Sequence, residues 1–252
     1  MLNGVKKLKE GSGRMAIIQN GSSLFTGDAG SGASEIRRYV ITEDLVEAII
    51  QLPTDLFYNT GISTYIWVLT RGKPMHRSGK VQLIDASKCF VKRRKNIGSK
   101  RVDLDDACIE LILRAYEDFD NRAYEENGLI VESKVFDNSF FGFTKVTVET
   151  AQADATGKPV LKKGKKQPVK GASDTEIIPL SEDIDSYMEK NVLPYNPLAY
   201  IDPAKDKIGY EIPFTRLFYK FVAPASSESI FEEIKALEAE ETILMKELFG
   251  HA

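Results

Sequence analysis

Residues 13–71 decide the fold of this chain, and they read GRMAIIQNGSSLFTGDAGSGASEIRRYVITEDLVEAIIQLPTDLFYNTGISTYIWVLTR. Three apolar runs of strand length lie in this stretch, at residues 15–18, 45–50 and 65–69. None of them alternates with polar residues. The pattern therefore predicts three strands that are buried on both faces.

The order of these segments predicts how the strands pair. A helix is predicted between the first two strands, over residues 34–41, with Ser34 as its N-cap. Strand, loop, helix and strand make a βαβ unit, in which the two strands are expected to be parallel neighbours. The third strand follows after only about ten loop residues, which is too few for a helical crossover, so it is expected to return antiparallel.

This topology also predicts where a ligand binds. In an open α/β sheet, ligands lie outside the carboxyl ends of the parallel strands. Two loops rich in Gly, Asn, Ser and Thr leave from that edge, at residues 20–33 and 52–61. The candidate substrate contacts in these loops are Asn20, Phe57, Tyr58 and Asn59. The alternative is that both loops are plain surface connections.

The composition is that of an ordinary globular protein of 252 residues, with 42% hydrophobic and 28% charged residues. The formal net charge is −3, so a contact with nucleic acid has to come from a local basic patch. Cys89 and Cys108 have no CxxC spacing, and His76 and His251 are the only histidines, which argues against a metal site. Isolated cysteines, no signal pattern and no membrane-length apolar run predict a cytoplasmic protein without membrane contact.

A local basic patch is present at residues 88–101, which read KCFVKRRKNIGSKR and carry seven basic residues and no acidic one. Lys and Arg at this density can neutralise several phosphates. The candidate phosphate contacts, as on a nucleic acid, are Lys92, Arg93, Arg94 and Lys95. A solvated loop and helix start is the alternative. A second basic stretch, residues 151–173, is rich in Lys, Gly and Pro and is expected to be flexible.

The remaining segments predict packed helices and strands. Residues 103–127 have apolar residues at helical spacing behind an acidic first turn, which predicts a helix. Residues 131–148 predict one or two strands, whose phenylalanines are either core or a base-stacking platform. Residues 226–249 predict a helix with an apolar stripe that suits a helical partner, within the chain or in another subunit. The stripe consists of Ile230, Ile234, Leu237, Leu244 and Leu248, with Glu241 interrupting it.

The stretch from residue 13 to residue 73 closely resembles the modification (M) subunit of Type I restriction–modification systems. The resemblance continues through four later segments, GKVQLIDAS, VFDNSFFGF, EIIPLSEDIDSYMEKNVLP and KIGYEIPFTRLFY. It implies an α/β fold, namely the C-terminal half of a Rossmann-like S-adenosylmethionine-dependent methyltransferase sheet, followed by a mostly helical C-terminal region.

The resemblance also suggests a division of the chain into four parts. Residues 1–87 are expected to hold the strands and helices of the methyltransferase fold. Residues 88–150 are expected to supply a basic loop, a helix and short strands packed on it. Residues 151–173 would be the flexible Lys-rich excursion, and residues 174–252 the helical region.

The family transfers a methyl group from S-adenosyl-L-methionine to the N6 of adenine in DNA. Its glycine-rich cofactor motif and its Asn-Pro-Pro-Phe catalytic motif normally lie upstream of the stretch matched here. The resemblance therefore implies that no residue of this chain is catalytic and that the cofactor is bound mainly by a missing N-terminal half. The chain alone is then expected to be inactive. The implied partners are DNA, that N-terminal half, the specificity (S) subunit and the restriction (R) subunit.

One role can be carried over from the family. In related adenine-N6 methyltransferases, an aromatic residue on the loop before the final antiparallel strand stacks on the flipped-out adenine. The pattern of Leu-Phe, a small polar turn and the strand ISTYIWVL places Phe57 at that position. The alternative is that Phe57 only anchors the loop on the fold. Two classes of function stay open: an enzyme component that completes a DNA adenine methyltransferase, and a non-catalytic remnant that binds the S subunit or DNA.

Overall fold

The computed structural model describes residues 1–221 and 223–250, so His251 and the last residue of the predicted C-terminal region lie outside the described residues. The chain forms two units, one at Met1–Phe218 and one that begins at Tyr219. None of the helices in the described ranges is long and apolar enough to cross a membrane.

The described chain contains seven α-helices and fourteen strands. The helices are α1 (Leu2–Lys7), α2 (Ser22–Phe25), α3 (Gly32–Thr42), α4 (Asp106–Asp118), α5 (Ile184–Asn191), α6 (Phe214–Phe218) and α7 (Ser227–Phe249). The strands are β1 (Arg14–Asn20), β2 (Val46–Gln51), β3 (Thr64–Thr70), β4 (Lys80–Lys88), β5 (Val91–Ile97), β6 (Lys100–Asp103), β7 (Arg122–Glu126), β8 (Leu129–Asp137), β9 (Gly142–Ala151), β10 (Leu161–Lys162), β11 (Lys165–Lys166), β12 (Pro168–Pro179), β13 (Ala199–Ile201) and β14 (Lys207–Tyr210).

The main sheet has the strand order β1-β3-β2-β4-β8-β7. β1 and β2 point the same way, but β3 lies between them and pairs antiparallel with both. The prediction that the first two strands are neighbours is therefore wrong, whereas the predicted antiparallel return is confirmed. The crossover through α3 leaves a gap one strand wide between β1 and β2. β3 fills this gap, because it hydrogen-bonds to β1 along one edge and to β2 along the other. β4 extends the sheet on the far side of β2, parallel to it.

The burial of the three strands follows from this order. β2 is buried along nearly its whole length, as predicted, and Trp67 at the centre of β3 is fully buried. β1 instead alternates between half-buried and exposed residues, so the prediction of burial on both faces is wrong for it. Met15 and Ile17 pack on the core, whereas Ile18 on the opposite face is 51% exposed.

The helix α3 ties the main sheet to the second sheet. Ser31, not the predicted Ser34, is its N-cap and accepts a hydrogen bond from the Ser34 N–H at 3.4 Å. The hydroxyl of Ser34 is used elsewhere, because it accepts from the Tyr210 N–H at 3.0 Å. That contact joins α3 to β14, a strand of the second sheet, in which β9 pairs with β12, β13 and β14.

The region after α4 holds the predicted strands β8 and β9 and the lysine-rich segment. Phe141 between them is buried and packs in the core, while Phe140 is 46% exposed. The lysine-rich segment contains the short hairpin β10–β11 and the start of β12, with exposed side chains. Its predicted flexibility stays a prediction, as does the division of the chain into four parts.

The second unit contains the helix α7, which matches the predicted C-terminal helix. Ser226 is its N-cap and accepts a hydrogen bond from the Ser229 N–H at 3.1 Å. No residue of α7 is buried. The side chains of the predicted stripe are between 47% exposed, at Ile230, and 74% exposed, at Leu248.

Candidate functional site

The carboxyl ends of β1 and β2 flank the first residue of β3. Asn20, the last residue of β1, lies opposite Thr64 in the sheet. On the other side, the Leu52 N–H donates to the Thr64 carbonyl at 2.8 Å. The two loops that were predicted to form a site therefore leave from the same edge of the sheet.

The loop at residues 52–61 is held by a small hydrophobic cluster. Leu52 and Leu56 are buried together with Val102. Phe57 is half-buried and packs against this cluster, whereas Tyr58 is 69% exposed and Asn59 is exposed as well. Phe57 is thus anchored to the fold, and the exposed aromatic ring of the loop belongs to its neighbour.

The basic patch forms a hairpin, β5–β6, that is hydrogen-bonded to this loop. The Ser99 N–H donates to the Tyr58 carbonyl at 3.0 Å, and the Arg101 N–H donates to the Asp55 carbonyl at 2.9 Å. At the hairpin turn, Gly98 has φ +57°, and a Cβ there would lie 2.5 Å from the Tyr58 carbonyl oxygen. The turn therefore needs glycine, and the structure brings the aromatic loop and the basic patch together.

The cations of this hairpin fall into two groups. Arg93 and Lys100 both form ion pairs with Asp103, and the hydrogen bond from Lys100 is the main cause that lowers the pKa of that carboxyl. In the part of the chain that the structure describes, no ion pair involves the exposed side chains of Lys92, Arg94, Lys95 and Arg101. Three of the four predicted phosphate contacts are therefore available to a ligand, and Arg93 is held within the hairpin.

Asn20, at the end of β1, has an unpaired side-chain amide in the described chain. Its backbone carbonyl accepts a hydrogen bond from the Ser23 hydroxyl at 2.9 Å. Its side chain is exposed and makes no hydrogen bond within residues 1–221 and 223–250. The amide can therefore reach a ligand at this edge.

The glycine-rich loop after β1 is tied to the rest of the chain by Lys145 and Arg37. Asp28 pairs with Lys145 at 2.9 Å, and this hydrogen bond is the main cause that lowers its pKa. The buried guanidinium of Arg37 donates hydrogen bonds to the backbone carbonyls of Ser23 and Thr26, at 3.3 and 2.9 Å. The Asp28 carboxylate and these two backbone carbonyls are thus engaged within the chain.

Two further observations bear on chemistry. The Asn196 amide donates to the Thr150 hydroxyl at 2.8 Å, which gives the Asn-Pro-Leu-Ala-Tyr stretch at residues 196–200 a structural contact. No group of His, Cys, Asp and Glu side chains in the described parts of the chain could hold a metal ion.

Sequence reasoning missed the hairpin and with it two residues at the site. Arg101 lies on the second strand of the hairpin, and Ile97 lies at its turn with 54% of its surface exposed. The available signal was the pair Gly98–Ser99, because a two-residue turn of this type between strand-like runs is typical of a hairpin.

The topology and the site together define the class of this protein. The structure places an antiparallel strand between two strands of like direction, with loops at their carboxyl ends, and the predicted fold class, a Rossmann-like methyltransferase, is confirmed. The chain belongs to the N-6 DNA Methylase family, whose sequence profile matches residues 1–150.

Two curated relatives confirm the resemblance to Type I methylase subunits, and a solved structure is reported beside them. The Type I restriction enzyme MjaVIII methylase subunit of Methanocaldococcus jannaschii is 34% identical over 106 residues, which are 42% of this chain and 18% of that protein. The HindI methylase subunit of Haemophilus influenzae is 31% identical over 156 residues, 60% of this chain and 34% of that protein. A Type I methyltransferase subunit structure from Streptococcus thermophilus is 29% identical, with a TM-score of 0.45, over 54% of this chain and 25% of that one.

The chain corresponds to only part of each of these relatives, which limits what the similarity says about its function. The chain spans 18% of the first and 34% of the second of the curated relatives described above. The activity of a whole methylase subunit is therefore proposed for this chain below and does not follow from the similarity itself.

Proposed function

We propose that this chain is the substrate-binding part of an adenine-N6 DNA methyltransferase, within the M subunit of a Type I restriction–modification system. One observation carries the proposal: the basic hairpin β5–β6 is hydrogen-bonded to the aromatic loop at the carboxyl edge of the sheet, through Ser99 and Tyr58. A DNA-modifying enzyme needs both groups side by side. Cations hold the phosphates, and aromatic rings hold the base that is flipped out.

The aromatic loop is proposed to receive the flipped adenine. The ring of Phe57 is fixed by its packing on Leu52 and Leu56, so it can offer a rigid face for stacking. Packing and stacking are compatible here because only part of the ring is buried. Tyr58, Asn59 and Asn20 are exposed around it, and their polar groups can hydrogen-bond the base or its sugar-phosphate backbone.

The hairpin is proposed to hold the DNA backbone. Lys92, Arg94 and Lys95 are exposed cations without an ion pair in the described chain, so no internal partner has to be displaced when a phosphate binds. Arg93 has a different role, because its ion pair with Asp103 braces the two strands of the hairpin against each other.

The cofactor side of the enzyme is assigned to another polypeptide segment. S-adenosyl-L-methionine supplies the methyl group when it is bound, and we propose that the N-terminal half of the M subunit holds it. In the described residues, β1 pairs only with β3 and lies at the end of the strand order, so its other edge carries no strand partner. This free edge can continue the sheet into the N-terminal half. The chain by itself is then inactive.

The helix α7 supports a contact with the S subunit. Its stripe runs along an amphipathic helix with no buried residue, and each aliphatic side chain in it gains about 1.5–3 kcal/mol if a partner buries it fully. Glu241 would lie at the rim of such an interface or face a basic group, because burying it unpaired is costly. An R subunit is proposed as a further member of the assembly, and a cytoplasmic location belongs to the same proposal.

Reconstitution tests the enzymatic proposal. The chain would be combined with an N-terminal half that carries the glycine-rich and Asn-Pro-Pro-Phe motifs and with an S subunit. Transfer of a labelled methyl group to adenine in DNA is expected from the assembly and from neither half alone. Stoichiometric cofactor binding by the isolated chain, seen by titration calorimetry, would contradict the division of roles.

The substitution Phe57→Ala tests the base contact in that assembly. Loss of the stacking face is expected to weaken capture of the flipped adenine by about 1–3 kcal/mol. A fluorescent base analogue at the target position reports flipping, and Thr54→Ala, at an exposed residue of the same loop that has no proposed contact, is the matched control. An unchanged signal and methylation rate in the Phe57 variant would remove the assignment.

A non-catalytic binding module is the second candidate, because the exposed stripe of α7 offers a binding surface that needs no catalytic residue. Such a remnant would bind the S subunit or DNA and transfer no methyl group. Deleting the chain after Pro224 is expected to leave a folded protein that no longer co-purifies with the S subunit. If the truncated protein still co-purifies with the S subunit, the contact lies elsewhere. If the reconstituted assembly binds DNA but does not methylate it, the remnant is favoured over the enzyme component.

A further inference from the structure

We propose that Ile97 is an apolar wedge that enters the DNA duplex and fills the space left by the flipped base. This inference rests on the proposed function, because it concerns the same DNA-binding edge. It adds a residue and a role that neither the phosphate contacts nor the base contacts supply.

The position of Ile97 is the first argument. It is the last residue of β5 and pairs with Lys100 across the two-residue turn of the hairpin. It is 54% exposed at the end of a strand whose other exposed residues are the cations Lys92, Arg94 and Lys95 and the polar Asn96. An isoleucine at the tip of a basic ribbon is therefore presented to whatever the cations bind.

The rigidity of the turn is the second argument. Gly98, next to Ile97, lies against the Tyr58 backbone so closely that a Cβ would come within 2.5 Å of the carbonyl oxygen. The Ser99 N–H donates to the same carbonyl. The tip of the hairpin is therefore fixed to the loop that carries Phe57, and a wedge there keeps a constant distance from the base-stacking ring.

The chemistry of base flipping supplies the third argument. An extruded base leaves two neighbouring bases without a stacking partner, and proteins that deform DNA often insert an apolar side chain between base steps. A branched aliphatic group fits this gap, whereas the surrounding lysines and arginines hold the phosphates on either side. A single exposed isoleucine is common on protein surfaces, so its setting at this tip carries the argument.

The test compares two DNA duplexes that differ in one position. One duplex is intact, and the other has an abasic site, which offers the gap in the stack without a flipping step. The full chain would be titrated into each at low salt, with fluorescence anisotropy as the readout. The wild type is expected to prefer the abasic duplex, and Ile97→Ser is expected to lose about tenfold in affinity for it, the scale on which burial of one aliphatic side chain acts.

Controls separate the wedge from a fault in folding. Ile97→Leu keeps an aliphatic group at the tip and is expected to retain the preference. Ile177→Ser removes an isoleucine that is equally exposed, at 57%, on β12 and is expected to change nothing. Affinity of Ile97→Ser for the intact duplex is expected to stay at the wild-type value, which shows that the hairpin is still formed.

The outcomes distinguish this inference from the proposed function. Equal affinity of the wild type for both duplexes, or a preference that survives in Ile97→Ser, would overturn the wedge and leave the DNA-binding role intact. If an interface with the S subunit is the true role of Ile97, the serine variant would instead lose co-purification with that subunit. Failure of the wild type to bind either duplex would overturn the DNA-binding role of the hairpin and the wedge together.

Discussion

Two sets of cations in this protein differ in what surrounds them. Arg77 is 4% exposed, and its guanidinium lies 4.4 Å from the ring centre of Tyr116 and 4.3 Å from that of Phe119. It also donates to the Gln82 side chain at 2.9 Å and to the Tyr116 carbonyl. Arg94 on the hairpin is exposed and has no ion pair in the described chain. The same charged group is a structural brace in one place and an open contact in the other.

The difference teaches how to assign roles to charged residues. A buried guanidinium keeps its charge only where carbonyls, rings or carboxylates replace the water that it has lost. Its removal then leaves those partners unsatisfied, so the main effect is on stability. An exposed cation at a ligand-binding edge has lost no water, and its removal acts on the ligand. Substitutions of buried cations should therefore lower the stability of the fold, whereas substitutions of exposed cations on the hairpin should weaken DNA binding.

The largest effect is expected from Arg77→Ala. The buried carboxylate of Glu47 lies 3.8 Å from the Arg77 Nε and would lose one of the two ion pairs that it forms in the described chain, the other being with Arg14 at 3.0 Å. Breaking a buried group of this kind costs about 3–5 kcal/mol of unfolding free energy. Urea denaturation followed by circular dichroism measures the loss. Arg94→Ala is the matched control, with an expected change within about 0.5 kcal/mol, and equal losses in the two variants would break the comparison.

Arg37→Lys is expected to have the next largest effect. The Arg37 guanidinium is buried and joins the loop after β1 to the second sheet, with its Nε donating to the Tyr210 carbonyl at 2.6 Å. Lysine keeps the charge but cannot reach the three carbonyls that the planar guanidinium contacts, those of Ser23, Thr26 and Tyr210. A loss of about 2–3 kcal/mol is expected by the same denaturation assay.

Arg38→Lys, at an exposed site one residue further along the helix, provides the control for Arg37→Lys. It should leave the unfolding free energy unchanged. A stable Arg37→Lys variant would show that the charge alone suffices there.

A smaller, pH-dependent effect is expected at a third buried cation. Lys73 has a nearly buried side chain and pairs with Asp44. Burial alone would raise the pKa of Asp44, but hydrogen bonds from Lys73, the Gly79 N–H and Asn138 outweigh it and lower the pKa. The folded state thus prefers the carboxylate. Its contribution to stability is present above the unfolded pKa, about 3.9, and is lost as the pH falls through the lower folded value.

The substitution Asp44→Asn checks this contribution. The variant is expected to be less stable than the wild type at pH 7 and to lose less stability between pH 5 and acid, since it lacks the group that titrates. Urea midpoints at several pH values measure both quantities. Parallel pH profiles for the two proteins would show that Asp44 does not carry the effect.

The sequence predicts elements that are decided locally and misses those that depend on distant pairing. The strand β2 and the helix α7 were predicted within one or two residues, because an apolar run and an apolar stripe at helical spacing are local signals. The position of β3 between β1 and β2 was not, since residues about fifty apart in sequence pair there. Arg37 resembles any helical arginine until Tyr210, 173 residues away, is placed beside it.

The candidate site shows the same division. The loop with Phe57 and the basic patch were each found from residue types, because aromatic and cationic side chains are visible in the sequence. Their junction through Ser99 and Tyr58 was not, since it consists of backbone hydrogen bonds that leave no compositional trace. The hairpin itself is mostly polar, so it lacks the apolar alternation by which strands are usually recognised.

The salt dependence of DNA affinity tests the central claim most directly. One variant replaces Lys92, Arg94 and Lys95 by Gln, and a second replaces Lys6, Lys7 and Lys9, three exposed lysines near the amino end of β1. Both change the net charge by the same amount. Affinity for a duplex would be measured by anisotropy at several salt concentrations.

If the hairpin holds phosphates, the plot of the logarithm of the association constant against the logarithm of the salt concentration should become less steep by about 2–3 in the hairpin variant. Its slope should stay unchanged in the other variant. Equal changes of slope in the two variants would mean that only the total charge matters, and that result would contradict the assignment of the hairpin as the DNA-binding edge.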